Sequence, residues 1–136
     1  MNLAERYVFD SFALLAYFED EAGAAAVEEL LTACAVGTAE GWLSMINLGE
    51  VLYITEREQG LPAAQKAVAL VDQLPLRIVD ADHAHTFAAA HIKAHHALSY
   101  ADAFAVALAQ DMAATVVTGD PEFRKVEDLV AVRWLP

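Results

Sequence analysis

Four carboxylates in four separate segments, Asp10, Glu50, Asp102 and Asp120, are the residues best placed to do chemistry. Asp10 ends the apolar run Tyr7-Val8-Phe9. Asp102 interrupts the small, apolar stretch from Ala101 to Ala109, and Asp120 follows Val116-Val117-Thr118-Gly119. A carboxylate in such surroundings is costly unless something neutralises it. A fold that gathers the four makes a cluster of hard oxygen ligands with excess negative charge, whose natural counter-charge is a divalent cation, Mg²⁺ or Mn²⁺.

Each carboxylate also has a plainer explanation. Asp10 could simply start a turn. Glu50 could be a solvated helix residue, although its helical neighbours Ile46, Asn47, Tyr53 and Ile54 put it on or beside a packed stripe, and Glu56 and Glu58 fill the exposed face better. Ser99-x-x-Asp102 resembles a capping box, which normally uses the longer Glu or Gln. Asp120 before Pro121 suits an N-cap. Taken singly these readings compete evenly with a site, and the coincidence of four placements favours one.

Other constellations carry less. His83, His85, His91, His95 and His96 crowd one region, and His91 and His95 stand one helical turn apart. No H-E-x-x-H glutamate or cysteine pair accompanies them, so a solvated or packed helix face is the default. Cys34 lacks the setting of a nucleophile, and no Gly-rich phosphate loop is present.

The elements that must position the carboxylates alternate in type. Tyr7–Asp10 reads as a short buried strand, with Ser11 capping a helix that begins near Phe12. Ala22–Cys34 reads as helix, Gly37–Gly41 as a break, and Trp42-Leu43-Ser44 as a short strand. Ile46–Glu58 is helical up to the Gln59-Gly60 stop. Pro62 opens a further helix and Pro75 closes it. Leu76–Val79 is a strand, Asp82–His96 and Ser99–Met112 are helices, and Thr115–Thr118 is a β-branched strand. Asp120-Pro121 caps and opens a short turn, and Val130–Leu135 forms the last strand. Strands alternating with helices imply a mostly parallel sheet covered on both faces, with ligands bound beyond the carboxyl ends of its strands. Asp10 and Asp120 each fall at such an end.

Bulk properties narrow the function. The chain has 136 residues, and 57% are apolar, so residues 1–136 read as one domain with room for a sizeable core. A single cysteine excludes an internal disulfide, and the first ten residues, with Glu5 and Arg6, show no secretory signal, which together point to the cytoplasm. The apolar stretch 101–119 is broken by Asp102, Gln110 and Asp111, so no membrane span is expected. Eight Lys and Arg against 20 Asp and Glu give a net charge of −12, which argues against binding nucleic acid through a broad basic surface. A nuclease remains open, because a bound cation recruits phosphate locally, and a basic protein partner is electrostatically attractive.

In this order, Val8-Phe9-Asp10-Ser11 with Ala13-Leu14-Leu15-Ala16, Asn47-Leu48-Gly49-Glu50-Val51, Leu98-Ser99-Tyr100-Ala101-Asp102-Ala103 and Val117-Thr118-Gly119-Asp120-Pro121-Glu122-Phe123 resemble the PIN-domain ribonuclease family, in particular the VapC-type toxins of bacterial toxin–antitoxin pairs. The resemblance spans nearly the whole chain. It implies a three-layer α/β/α fold and a Mg²⁺- or Mn²⁺-dependent endoribonuclease leaving 5′-phosphate and 3′-hydroxyl ends. It also implies a small cognate antitoxin. Asp10, Glu50, Asp102 and Asp120 match the family's acidic quartet, while Ser11, Asn47 and Thr118 match positions that support it by hydrogen bonds. Phe12 departs from the pattern, standing where many relatives have a small polar residue. On this reading Asp10 and Asp102 are the main metal ligands, with Glu50 and Asp120 acting directly or through water.

Lys93, Arg124 and Lys125 neighbour the site-bearing segments and are candidates for gripping RNA, with a solvated surface role as the default for each. A homodimer could build a basic groove from two such sparse surfaces, and the acidic pocket suits an antitoxin arginine. Two other classes are weighed against the nuclease. One is a PIN-like interaction module without catalysis. The other is a receiver-like phosphoacceptor, which fits poorly because the last strand offers only Arg133 where a lysine is required.

Overall fold

The computed structural model describes residues 3–136, so Met1 and Asn2, at the start of the expected 1–136 domain, lie outside the described residues. Among the described residues five strands form one sheet: β1 (Glu5–Phe9), β2 (Ala39–Ser44), β3 (Arg77–Val79), β4 (Thr115–Thr118) and β5 (Val132–Trp134). Every pairing is parallel, and the order is β3-β2-β1-β4-β5. The helices are α1 (Ser11–Phe18), α2 (Ala24–Val36), α3 (Met45–Gln59), α4 (Leu61–Asp72), α5 (His83–His95) and α6 (Tyr100–Met112), with a 3₁₀ turn at Pro121–Val126.

The strand period of two residues divides the chain into two cores. Val8, Trp42 and Val116 turn one way and pack with Ala89 and Ile92 of α5, Phe104 and Leu108 of α6, and Phe123 of the 3₁₀ turn. Their chain neighbours Phe9, Leu43 and Val117 turn the other way, onto Leu14 of α1, Val27 and Leu31 of α2, Leu48 and Val51 of α3, and Val71 of α4. The result is the three-layer α/β/α arrangement expected from the alternation, with an all-parallel sheet. The run Ala103–Ala109 in α6 is wholly buried, its alanines leaving space for the helix to lie close between the sheet and α5.

Local details differ from the sequence reading. The break expected over Gly37–Gly41 is confined to Gly37 and Thr38: Gly37 ends α2 at φ 87°, while Gly41 lies inside β2. A Cβ on Gly41 would stand 2.6 Å from Leu76 Cδ2 and 3.0 Å from Cys34 Sγ, so this glycine serves close packing rather than a turn. Ser11 does not cap α1. It is the first helical residue, and Asp10 is the N-cap, its Oδ1 accepting a hydrogen bond from the Ala13 N–H at 2.8 Å. Asp10 takes the role by position: it is the last extended residue before the helix, from which a side-chain oxygen reaches the N–H three residues on, whereas Ser11 is already helical.

Candidate acidic site at the centre of the sheet

The chain builds β1, moves outward through β2 and β3, then returns to the other side of β1 for β4 and β5. The connections therefore diverge between β1 and β4, the switch point at which parallel α/β sheets leave a crevice beyond their strand ends. Asp10 follows β1 and Asp120 lies two residues past β4, so topology sets these two aspartates at one crevice. Asp102 enters from the first turn of α6, and Glu50 from α3 one turn beyond Asn47.

Asp10 is 1% exposed and Asp102 7%, whereas Glu50 and Asp120 are half-buried. Burial pushes the Asp10 carboxyl up to about 8; the Thr118 hydroxyl and Ala13 N–H oppose the shift, and the charges of Asp102 and Asp120 reinforce it. Burial also raises Asp102, to about 7, and the charges of Asp120, Glu50 and Glu122 add to that shift; the Ser99 hydroxyl acts in the opposite sense. All four predicted carboxylates are thus brought into one electrostatic neighbourhood. Glu122 is a fifth member that sequence reasoning missed. The available signal was an acid two residues beyond Asp120, in the first turn opened by Pro121.

Ser11, Asn47 and Thr118 form the frame. The Ser11 hydroxyl donates to the Asn47 carbonyl at 3.3 Å, and Asn47 Nδ2 donates to Ser11 Oγ and to the Ala101 carbonyl, both at 3.2 Å. One buried asparagine therefore ties α1 and α3 to α6 beside Asp10 and Asp102. Thr118 Oγ1 accepts from the Asp120 N–H at 3.0 Å while its hydroxyl acts on Asp10, linking the two strand-end aspartates. The capping roles are real as well. Asp120 Oδ1 accepts from the Glu122 N–H at 2.9 Å, and Ser99 Oγ accepts from the Asp102 N–H at 3.1 Å. Among the described hydrogen bonds none runs from the Ser99 backbone N–H to the Asp102 side chain, so the capping box is not completed.

The three candidate cations, for which a solvated surface role is the default, each have a nearby partner. Lys93 donates to the Leu98 carbonyl at 2.9 Å, Lys125 to the Ala97 carbonyl at 2.8 Å and to Glu122 at 3.1 Å, and the Arg124 guanidinium lies 4.9 Å over the Trp134 ring. Histidines divide similarly: His85 sits between Asp82 and Asp111 at 3.1 and 2.9 Å, and the His91 and His95 rings contact edge-on.

Among the described residues, no three His, Cys, Asp or Glu side chains are drawn together closely enough to grip an ion as they stand. The chemistry of the donor set nevertheless fits a hard divalent cation: every candidate ligand is a carboxylate, and the two most buried resist ionisation while uncompensated. Asn47 Oδ1, buried and without a hydrogen-bond partner, adds an unused acceptor in the same frame.

Fold and site together define a parallel α/β domain with neighbouring carboxylates at its switch point. The sequence matches the family model for the PIN domain over residues 7–129, and the chain belongs to that family. Comparison with curated proteins gives no match. Among solved structures, VapBC2 from Rickettsia felis, bound to a promoter DNA fragment, is similar at 16% identity and TM-score 0.75, covering 96% of this chain and 99% of that one. The DNA-bound VapBC of Salmonella typhimurium is similar at 17% identity and TM-score 0.72, covering 95% and 97%. VapC20 of Mycobacterium tuberculosis, a toxin that cleaves the sarcin–ricin loop, is similar at 19% identity and TM-score 0.69, covering 88% and 93%. At these identities the likeness is one of fold.

Proposed function

We propose that residues 1–136 form a VapC-type PIN-domain endoribonuclease, the toxin of a toxin–antitoxin pair, which hydrolyses RNA phosphodiester bonds with Mg²⁺ or Mn²⁺. The observation that carries this reading is the placement of Asp10, Asp102, Asp120 and Glu50, from separate elements, about one crevice, where burial first and the neighbouring carboxylates second push Asp10 and Asp102 well above the ordinary carboxylate range. The full-length similarity to VapBC proteins supports the toxin assignment.

Asp10 and Asp102 would hold the cation most directly, with Glu50 and Asp120 completing its surroundings. When bound, such an ion neutralises a phosphoryl oxygen and lowers the pKa of a water for in-line attack. The chain's own contribution is position and proton balance. The Ala13 N–H fixes Asp10 by Oδ1, the Thr118 hydroxyl acts on the same carboxyl, and the Asn47 clamp sets α6, and with it Asp102, against α1 and α3. Asp10 and Asp102 retain protons into the neutral range and must release them to admit a cation. A small antitoxin with a basic segment would find the acidic pocket complementary, and an arginine there would compete with the cation. The protein would act in the cytoplasm as a homodimer, a second copy supplying cations this surface lacks; no helix is long and apolar enough to cross a membrane among the described residues.

The test is cleavage of total and structured RNA with Mg²⁺, Mn²⁺ or EDTA, for the parent and Asp10→Asn. Metal-dependent cutting that vanishes in the variant is the expected result. A folded protein that binds the cation and cuts nothing would favour an interaction module instead.

A further inference from the structure

Phe12 occupies the first turn of α1, directly after Asp10 and Ser11, and remains 36% exposed although it is a large apolar side chain. Its ring lies against Gly119, the residue between Thr118 and Asp120. A Cβ on Gly119 would overlap Phe12 Cε1 and stand 2.7 Å from Cζ and 3.1 Å from Cδ1. The positive-φ glycines are Gly37 and Gly60, so what requires glycine at 119 is the approach of this ring and not a special backbone conformation. The ring therefore bridges the segments that carry Asp10 and Asp120, lying against backbone while part of its surface stays open to solvent.

A nuclease of net charge −12, whose candidate cations Lys93, Arg124 and Lys125 are each drawn to a nearby carbonyl or ring, gains from a means of holding its substrate that does not depend on charge. An aromatic ring can do so, because every nucleobase has a π-face and stacking does not depend on a basic surface. We propose that Phe12 is a base-stacking platform: seated on Gly119 between Asp10 and Asp120, it takes a nucleobase flanking the phosphate presented to the acidic site. The proposal rests on the nuclease reading and adds a substrate-positioning residue to it. It also gives the site a preference for single-stranded or splayed RNA, since a paired base offers no free face.

The experiment uses short single-stranded RNAs carrying one 2-aminopurine at successive positions. Binding and fluorescence are followed in an Asp10→Asn background, and steady-state cleavage in the otherwise native chain. Phe12→Tyr keeps the π-face, Phe12→Leu keeps apolar packing without it, and Gly119→Ala displaces the ring without altering Phe12. Thermal melts confirm that each variant is folded. The expected result is quenching at one nucleotide position that persists in Phe12→Tyr and disappears in Phe12→Leu and Gly119→Ala. Affinity should fall about 5- to 100-fold in Phe12→Leu, the range that stacking of one base contributes. The loss should appear in KM, with kcat at saturating RNA close to that of the parent. If the native chain cuts RNA while Phe12→Leu binds and quenches like the parent, the platform is overturned and the nuclease stands. If the native chain neither binds nor cuts RNA with Mg²⁺ or Mn²⁺, the nuclease reading fails and takes the platform with it. A Phe12→Leu defect confined to binding a partner protein would assign the ring to a protein contact, and this too overturns the proposal.

Discussion

Asp10→Asn removes a charge that the fold holds poorly while keeping an oxygen to accept from the Ala13 N–H. Asp10 is 1% exposed, and burial pushes its carboxyl from the ordinary 3.8 up to about 8. A raised pKa means that the folded chain binds this proton more tightly than the unfolded chain does. The stability it contributes is therefore fully present below the unfolded value and is lost as pH rises through the folded one. At about 1.4 kcal/mol per unit, the loss between pH 4 and pH 7 is at most about 4 kcal/mol. Asparagine does not titrate in this window. In EDTA, Asp10→Asn should match the parent near pH 4 and exceed it by about 2–4 kcal/mol at pH 7. Urea unfolding followed by circular dichroism from pH 4 to pH 8 measures the difference directly. A pH-independent gap, or a variant less stable than the parent at pH 7, would refute the claim that Asp10 is a strained, buried acid. Mg²⁺ should narrow the gap by stabilising only the parent.

Affinity for Mg²⁺ should rise with pH across the range from about 7 to about 8 as Asp102 and then Asp10 lose their protons, which calorimetric titration at several pH values checks. Asp102→Asn is expected to lower RNA cleavage at least ~100-fold, measured at saturating Mg²⁺, because it removes a ligand whose replacement cannot carry the charge. Asn47→Ala should cost ~2 kcal/mol in denaturant unfolding and also reduce cleavage, since it removes the side-chain hydrogen bonds that Ser11 Oγ and the Ala101 carbonyl accept and with them the tie between α6 and α1. Gly41→Ala should cost ~1–3 kcal/mol in a thermal melt, because its Cβ meets Leu76, Cys34 and Phe9.

Much of the frame was legible from local pattern. Strand residues alternate between two apolar faces, so Val8 and Phe9, or Val116 and Val117, each announce a sheet covered on both sides. Acids placed directly after such runs stand out because they interrupt an otherwise buried pattern. The ends of elements were less legible. Ala39-Glu40-Gly41 looks like a loop by composition, and only the packing of Leu76, Cys34 and Phe9 around Gly41 shows why it is strand. Ser11 looks like a cap until Asp10 is seen to take the Ala13 N–H.

The sequence by itself determined the element types, the placing of Asp10 and Asp120 at strand ends, and the small-residue helix that carries Asp102, because periodicity, propensity and capping act over only a few residues. The strand order, the gathering of the carboxylates at one crevice and the recruitment of Glu122 were decided by the tertiary structure alone. So were the diversion of Lys93, Arg124 and Lys125 to nearby carbonyls and a ring, and the seating of Phe12 on Gly119. Lys125 on the Ala97 carbonyl and Phe12 on Gly119 join residues far apart in the chain, and such contacts gain their energy only when packing removes water and fixes distance, which no local pattern encodes.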